Sequence, residues 1–269
     1  MSMMDIFQAV VLGAVQGLTE FLPVSSSGHL ILFPQLFGWQ DQGVAFDALV
    51  HLGTFVALVW YYRKDLLKLF HDVLAKNKEA MNFVLRVGAA TVPALILALL
   101  LKDFIEQYAR LAIVVMVSLI VWALVLFMAD RWSGRQKEHL DAYQHISWKQ
   151  ALIIGFAQPI ALIPGTSRSG ITITAGLFAG LSRRAAAQFS FFLAMPVTGL
   201  AGIYGLWKSM SEPSSYSALA HITGFLSATL FGIFAIHFLL SFLKKQKYDI
   251  FVFYRIALAV MIGIFLIGS

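Results

Sequence analysis

The chain has 269 residues, 59% of them hydrophobic and only 13% charged, with a formal net charge of +6 and a mean hydropathy of +0.78. That composition lies outside the range of soluble domains and excludes a water-soluble enzyme, while charge-free runs such as Leu111 to Ala129 and Ala185 to Trp207 imply membrane helices. No cysteine is present, which excludes disulfides, thiolate metal sites and cysteine-phosphatase chemistry.

The N-terminal stretch MSMMDIFQAV carries an acid and no Lys or Arg, so a cleaved signal peptide is not expected and the first helix should be retained. Two short apolar segments follow, Ile6 to Glu20 and Ser27 to Gly38. At 1.5 Å per residue they reach roughly 22 and 18 Å, short of the ~30 Å hydrocarbon core, and predict a re-entrant helical hairpin. Its tip is a polar knot within QGLTEFLPVSSSGH. Irregular backbone at membrane depth is tolerated only where it lines a cavity, so the knot should face one. Three full spans are expected next, roughly 44–62, 82–101 and 110–129, and then a loop at about 130–149.

The second half repeats the first. QAVVLGAVQ from Gln8 matches QALIIGFAQ from Gln150, so that Gln8 and Gln150, Gly13 and Gly155, Gln16 and Gln158 pair at an offset of 142. With one residue deleted, Pro23 aligns with Pro164 and PVSSSGH faces a second knot, PGTSRSG. Spans at roughly 185–207, 218–240 and 250–268 complete this half. Three crossings per repeat force the second copy to enter the membrane in the opposite sense. The expected fold is an all-α integral membrane protein, a single membrane domain over 1–269. Its inverted-topology repeat consists of repeat 1 at about 1–130 and repeat 2 at about 148–269, each a re-entrant helical hairpin plus three transmembrane helices.

Loop charges test the scheme independently. If 63–81 is cytoplasmic, alternation puts 130–149, 182–184 and 241–249 on the same side, and these loops carry fourteen Lys and Arg against three, Lys102, Arg110 and Lys208, on the other. The positive-inside rule then places the 130–149 loop in the cytoplasm and both termini outside it. The same distribution makes the net charge a topology signal, so no nucleic-acid partner is expected.

The knots carry the chemistry. Gln16 and Glu20, four residues apart, share a helix face and precede Ser25, Ser26, Ser27 and His29. A carboxylate in a half-helix is a functional hypothesis by default, against a bland alternative in which Glu20 snorkels to water and the serines cap the next helix. In the second knot Gly165 and Gly170 permit close backbone approach, Thr166, Ser167 and Ser169 supply hydroxyls, and Arg168 is the only basic residue between Lys149 and Arg183. That arginine needs an anion, which is Glu20 in the empty protein, a phosphate ligand, or each in turn. Two facing helix starts plus a guanidinium fork make a diphosphate cradle. Asp47 and His51, four apart at the start of a span, are weaker candidates for the cavity mouth.

At these motifs the chain resembles the undecaprenyl-diphosphate phosphatase family of the bacitracin-resistance type. The resemblance covers essentially the whole chain, with EFLPVSSSGH and PGTSRSGITIT as long, low-degeneracy strings. It implies removal of the terminal phosphate from a C55 polyprenyl diphosphate, returning the lipid carrier for cell-wall synthesis, in the bacterial cytoplasmic (inner) membrane with the cavity opening to the outer face. Position by position, Ser26 matches the family's proposed nucleophile and His29 its essential histidine. Arg168 matches the arginine that binds diphosphate, and Glu20 the acid linked to a divalent cation, Mg²⁺ or Ca²⁺. Gln16 matches a position that is Glu or Gln in the family; an amide is a poorer ligand, so the metal falls mainly to Glu20. The order SGH then SR also occurs in the acid-phosphatase superfamily, but the histidine required six residues after the arginine is Thr174 here.

The expected reaction is attack by Ser26 on the distal phosphorus, with His29 or Glu20 taking the proton and Arg168 with the knot hydroxyls neutralising charge. The expected partners are the lipid substrate and the bilayer, and a homodimer is compatible with the chain. The rival class is a lipid-phosphate or anion transporter, which needs the same cradle but no nucleophile.

Overall fold

The computed structural model describes residues 3–39, 42–101, 105, 111–136, 139–209 and 216–268. Eleven α-helices are formed among them: α1 (Met3–Phe21), α2 (Ser26–Phe37), α3 (Gly43–Tyr61), α4 (Arg63–Leu74), α5 (Lys78–Leu100), α6 (Ala112–Ser133), α7 (Trp148–Ala157), α8 (Arg168–Phe178), α9 (Arg183–Ser209), α10 (Ala218–Phe242) and α11 (Asp249–Gly268). Short 3₁₀ turns occupy Tyr143–His145 and Gln158–Leu162. Side-chain caps begin several helices. Asn77 accepts from the amides of Glu79 and Ala80, Ser217 accepts from that of Ala220, and Ser147 with Gln150 forms a capping box at α7.

Helices α3, α5, α6, α9 and α10 are long and apolar enough to cross a membrane. The sixth expected span corresponds to α11, 20 residues long and interrupted by Arg255. The chain is thus an all-α integral membrane protein. Lys102, Arg110 and Lys137, which enter the loop-charge argument, lie outside the described residues.

Three features depart from the sequence-based expectation. The first arm of the first hairpin is 19 residues long rather than about 15, because the helix begins at Met3. Its counterpart breaks after ten residues, where Pro159 at the start of a 3₁₀ turn withholds an amide donor. The expected loop 63–81 folds largely into α4, which buries none of its residues and exposes Leu67, Phe70 and Leu74 beside its charges, the pattern of an interfacial helix.

Small residues set the packing. A Cβ on Gly13 of α1 would sit 2.3 Å from the Gly224 carbonyl oxygen of α10, and one on Gly155 of α7 would sit 2.6 Å from the Ala90 Cα of α5. The repeated glycines therefore mark two backbone-to-backbone crossings, α1 on α10 and α7 on α5, each joining one half to the other. Helix α3 packs on α9 and α10, and α6 packs on α11 and α8. An aromatic cluster of Phe21, Tyr62, Phe83, Tyr143, Phe189, Phe191 and Phe192 fills the main core. Near the ends of α6 and α9, buried Asp130 pairs with Arg183 and accepts from the Tyr248 amide at 3.4 Å, while Arg131 pairs with Asp249 at 2.9 Å.

Candidate functional site

Both knots are breaks between helices, and each restarts its chain in the same way. Ser25 (φ 74°) and Ser167 (φ 72°) adopt left-handed backbone, and their hydroxyls accept from the amides of Gly28 and Gly170. Positive φ in a non-glycine residue costs roughly 1–2 kcal/mol, which the three-residue cap loop imposes twice. The structural register differs from the proline-based alignment. Ser25 pairs with Ser167, an offset of 142, and so Ser26 pairs with Arg168, Ser27 with Ser169 and Gly28 with Gly170. Cap geometry decides this, since each capping serine accepts from the amide of the glycine three residues on; a Cβ on Gly170 would meet the Ser167 side chain at 3.1 Å.

The knots touch. Ser169 Oγ donates to the Leu22 carbonyl at 3.0 Å, and Arg168 Nη2 donates to Glu20 Oε1 at 2.6 Å. Glu20, only 7% exposed, does not snorkel. Its other oxygen, Oε2, accepts from Ser26 Oγ at 2.8 Å and from Gln16 Nε2 at 3.1 Å, and lies 4.0 Å from His51 Nε2. Gln16 Oε1 is buried without a hydrogen-bond partner. Arg168 also donates to the Ser190 carbonyl at 3.3 Å. Ser26, Arg168 and Glu20 therefore form one contact chain across the two halves.

The remaining predicted residues divide by exposure. Ser27 is exposed and Ser26 and Arg168 are partly exposed, whereas Ser25, Gly165, Thr166, Ser167, Ser169 and Gly170 are buried. The buried hydroxyls have structural partners: Ser25 and Ser167 cap helices, Ser169 reaches Leu22, and Thr166 pairs with Ser118 of α6 at 2.9 Å. Gly165 (φ +90°) passes so close to α6 that a Cβ would lie 2.5 Å from the Val115 carbonyl oxygen. His29 does not approach Ser26 through a hydrogen bond. Its Nδ1 donates to the Ser25 carbonyl at 2.7 Å, and its Nε2 lies 2.6 Å from the Tyr254 hydroxyl.

Arg255, which the sequence analysis passed over, is fully buried beneath both knots. Its guanidinium donates to the carbonyls of Pro23 (3.3 Å), Gly165 (2.9 Å), Thr166 (3.0 Å) and Leu119 (3.3 Å). Broken helices leave carbonyls without amide donors, and this one side chain satisfies carbonyls from both breaks. The signal was present, because Arg255 is the only charged residue after Asp249. His51, rated weak, lies against Glu20; its Nδ1 donates to the Asp47 carbonyl at 2.7 Å, which turns Nε2 toward the carboxylate.

A metal ion would find limited protein ligation. Among the described residues no group of three His, Cys, Asp or Glu side chains could hold one. The orphan Gln16 Oε1 beside Glu20 does offer a second oxygen, which suits a cation completed by substrate oxygens and water. Two cavities flank the bundle. An apolar groove of about 360 Å³ runs along α6 between Ile113 and Trp122 and reaches Ser118 and Ile163 at the second knot. A cavity of about 420 Å³ is lined by Asp65, Lys68, Asp72, Glu79, Tyr143 and other residues, none from either knot. Burial, with the Asp65 charge adding to it, pushes the Tyr143 phenol above its ordinary range there.

The family model described as bacitracin resistance protein BacA matches residues 9–261. Over 266 residues the chain is 43% identical to an undecaprenyl-diphosphatase of Idiomarina loihiensis, covering 96% of this chain and 98% of that protein. It is 44% identical over 276 residues to one from Chlorobaculum parvum, covering 97% and 98%. Over 268 residues it is also 44% identical to undecaprenyl-diphosphatase 2 of Stutzerimonas stutzeri, with 97% and 99% covered. The matched region takes in both knots, the Arg255 clamp and every helix between them, so the chain belongs to the bacitracin resistance protein BacA family.

Proposed function

We propose that this chain hydrolyses undecaprenyl diphosphate to undecaprenyl phosphate and inorganic phosphate, returning the lipid carrier to cell-wall synthesis. The observation that carries the reading is the contact chain Arg168–Glu20–Ser26, which joins a cation, a carboxylate and a hydroxyl across the two knots. A hydroxyl bonded to a carboxylate is a nucleophile with a base in place, and a partly exposed guanidinium beside it is an anchor for phosphate. A carrier would have no use for the hydroxyl–carboxylate bond.

The diphosphate takes Arg168 from Glu20, so the guanidinium turns from a carboxylate partner to a phosphate one. Glu20 then accepts the Ser26 proton while Ser26 Oγ forms a bond to the distal phosphorus. The P–O bond to the bridging oxygen breaks, and that electron pair leaves with the lipid monophosphate. Glu20 passes that proton to the departing lipid monophosphate, then takes one from the water that attacks the phosphoserine and returns it to Ser26 Oγ as the serine P–O bond breaks and inorganic phosphate leaves. Of the two groups that the sequence left open as the base, Glu20 is supported by its direct bond to Ser26. Exposed Ser27 and the backbone amides of Ser26, Ser27 and Arg168 at the two helix starts bind phosphate oxygens. Buried Ser25, Gly165, Thr166, Ser167, Ser169 and Gly170 shape the cradle rather than touch the ligand. Glu20 and Gln16 would hold a Mg²⁺ or Ca²⁺ ion, which supplies charge neutralisation when bound with the diphosphate. The apolar groove along α6 suits the first isoprene units, since its lining includes Ile163 and Ser118, the latter hydrogen-bonded to Thr166 of the second knot.

The chain is further proposed to be an inverted repeat in the bacterial cytoplasmic membrane, with both termini outside. The reciprocal crossings of α1 on α10 and α7 on α5, together with the Lys and Arg bias of the loops, support this reading. The test is phosphate release by purified protein from a long polyprenyl diphosphate, with Mg²⁺, with EDTA, and for Arg168→Ala and Ser26→Ala. Metal-dependent release lost in both variants is expected. Release that survives Ser26→Ala would replace the covalent step by direct water attack, and diphosphate binding without any release would make the cradle a carrier's site.

A further inference from the structure

His29 belongs to the first knot, yet the structure connects it to α11 and not to the nucleophile. Its ring is 2% exposed and both nitrogens are held. A carbonyl only accepts, so the contact to Ser25 fixes the proton on Nδ1 and leaves Nε2 as the acceptor of the neutral ring. The Tyr254 hydroxyl lies 2.6 Å from Nε2, and the two rings stack with centroids 5.6 Å apart and an interplanar angle of 8°. Tyr254 itself is 45% exposed, so it stands between the buried histidine and the outside. Its place is well defined, because the next residue is Arg255, whose four carbonyl contacts tie α11 to both knots.

We propose that Tyr254 is the positioning residue of His29, holding the imidazole by its hydroxyl and coupling it to the diphosphate. This rests on the hydrolase reading above. A phenol both donates and accepts. With the site empty its hydrogen points to Nε2. When a protonated phosphate oxygen arrives, the phenol passes its hydrogen to Nε2 and takes the phosphate proton in its place, so that its O–H donates to the phosphate and its oxygen receives an N–H from the protonated ring. His29 thus gains a proton without losing either partner or its orientation. The histidine acts through Tyr254, and the two form one unit.

The experiment is a double-mutant cycle on the purified full chain, with Tyr254→Phe, His29→Gln and the pair. Tyr254→Phe keeps the stacked ring and removes one hydroxyl. It is expected to lower kcat about tenfold, the effect of one hydrogen bond to a group that changes charge, with KM changed less than twofold. The double variant is expected to match His29→Gln within twofold, because a unit cannot be broken twice. Wild-type kcat in Tyr254→Phe, or losses that multiply in the double variant, would overturn the proposal. A second readout needs no turnover. The ¹⁵N spectrum of histidine-labelled wild-type protein, assigned by difference with His29→Gln, should show a Nδ1–H tautomer with a hydrogen-bonded Nε2. A Nε2–H tautomer would also overturn the proposal, even if Tyr254→Phe failed to accumulate. Absence of phosphate release from wild type would sink the hydrolase reading alone, and the spectrum would still decide the pairing.

Discussion

The two knots share one backbone device and differ in what stands on it. Each starts a helix from a left-handed serine whose hydroxyl binds a glycine amide three residues on, and each places its next residue at the first helical position. In the first knot that residue is Ser26, and in the second it is Arg168. The same position thereby holds a hydroxyl in one knot and a guanidinium in the other, and the packing of the chain brings the two to the same carboxylate. A symmetric backbone holds an asymmetric site because only one half supplies Glu20; its counterpart by the 142 offset is Leu162.

The comparison can be broken in steps of decreasing size. Arg168→Ala removes the charge that the first knot cannot replace, and phosphate release from a polyprenyl diphosphate should fall roughly 100- to 1,000-fold. Arg168→Lys should recover only a small part of it, because a point charge lacks the guanidinium fork. Next in size is the clamp common to both knots. Arg255→Met abandons the break carbonyls of Pro23, Gly165 and Thr166, which have few other donors in an apolar interior, and should cost about 3 kcal/mol, lowering the melting temperature in detergent by roughly 9 °C. A melting curve like that of wild type would show that the carbonyls find other donors.

Smaller effects separate the crossings from the caps. Gly13→Ala and Gly155→Ala push a methyl into a facing backbone and should each cost about 1–3 kcal/mol, whereas Gly88→Ala in α5 meets nothing within 4 Å and should stabilise by about 0.5–1 kcal/mol. Equal costs at positions 13 and 155 would sharpen the repeat to the level of energetics; a cost at one alone would confine it to sequence. Smallest of all, Ser25→Gly and Ser167→Gly exchange a lost cap of about 1 kcal/mol for relief of left-handed strain of similar size, so thermal unfolding should move little at either site. Ser25→Ala and Ser167→Ala lose the cap without that relief and should each be the more destabilised by thermal melt.

The membrane class, the helical spans and the repeated strings can be read from the chain alone, because hydropathy over a span and a recurring string are local properties. Glu20, Ser26, His29 and Arg168 stand out there as candidates for the chemistry, since they are polar where apolar residues are cheaper, and this can be read without coordinates. How these four divide depends on contacts between distant parts of the chain. Glu20 faces Ser26 while His29 turns to Tyr254, because ring orientation follows from the Ser25 carbonyl and the position of α11, neither of which leaves a spacing in the sequence. Tyr254 is invisible in an apolar helix, where an aromatic residue is ordinary. The register of the knots was likewise hidden, since the prolines align at one offset while the caps, which depend on φ and on a glycine amide, align at another. The buried Arg255 shows the same limit, for its charge is plain in the sequence but the three break carbonyls that need it become neighbours only when the two breaks meet.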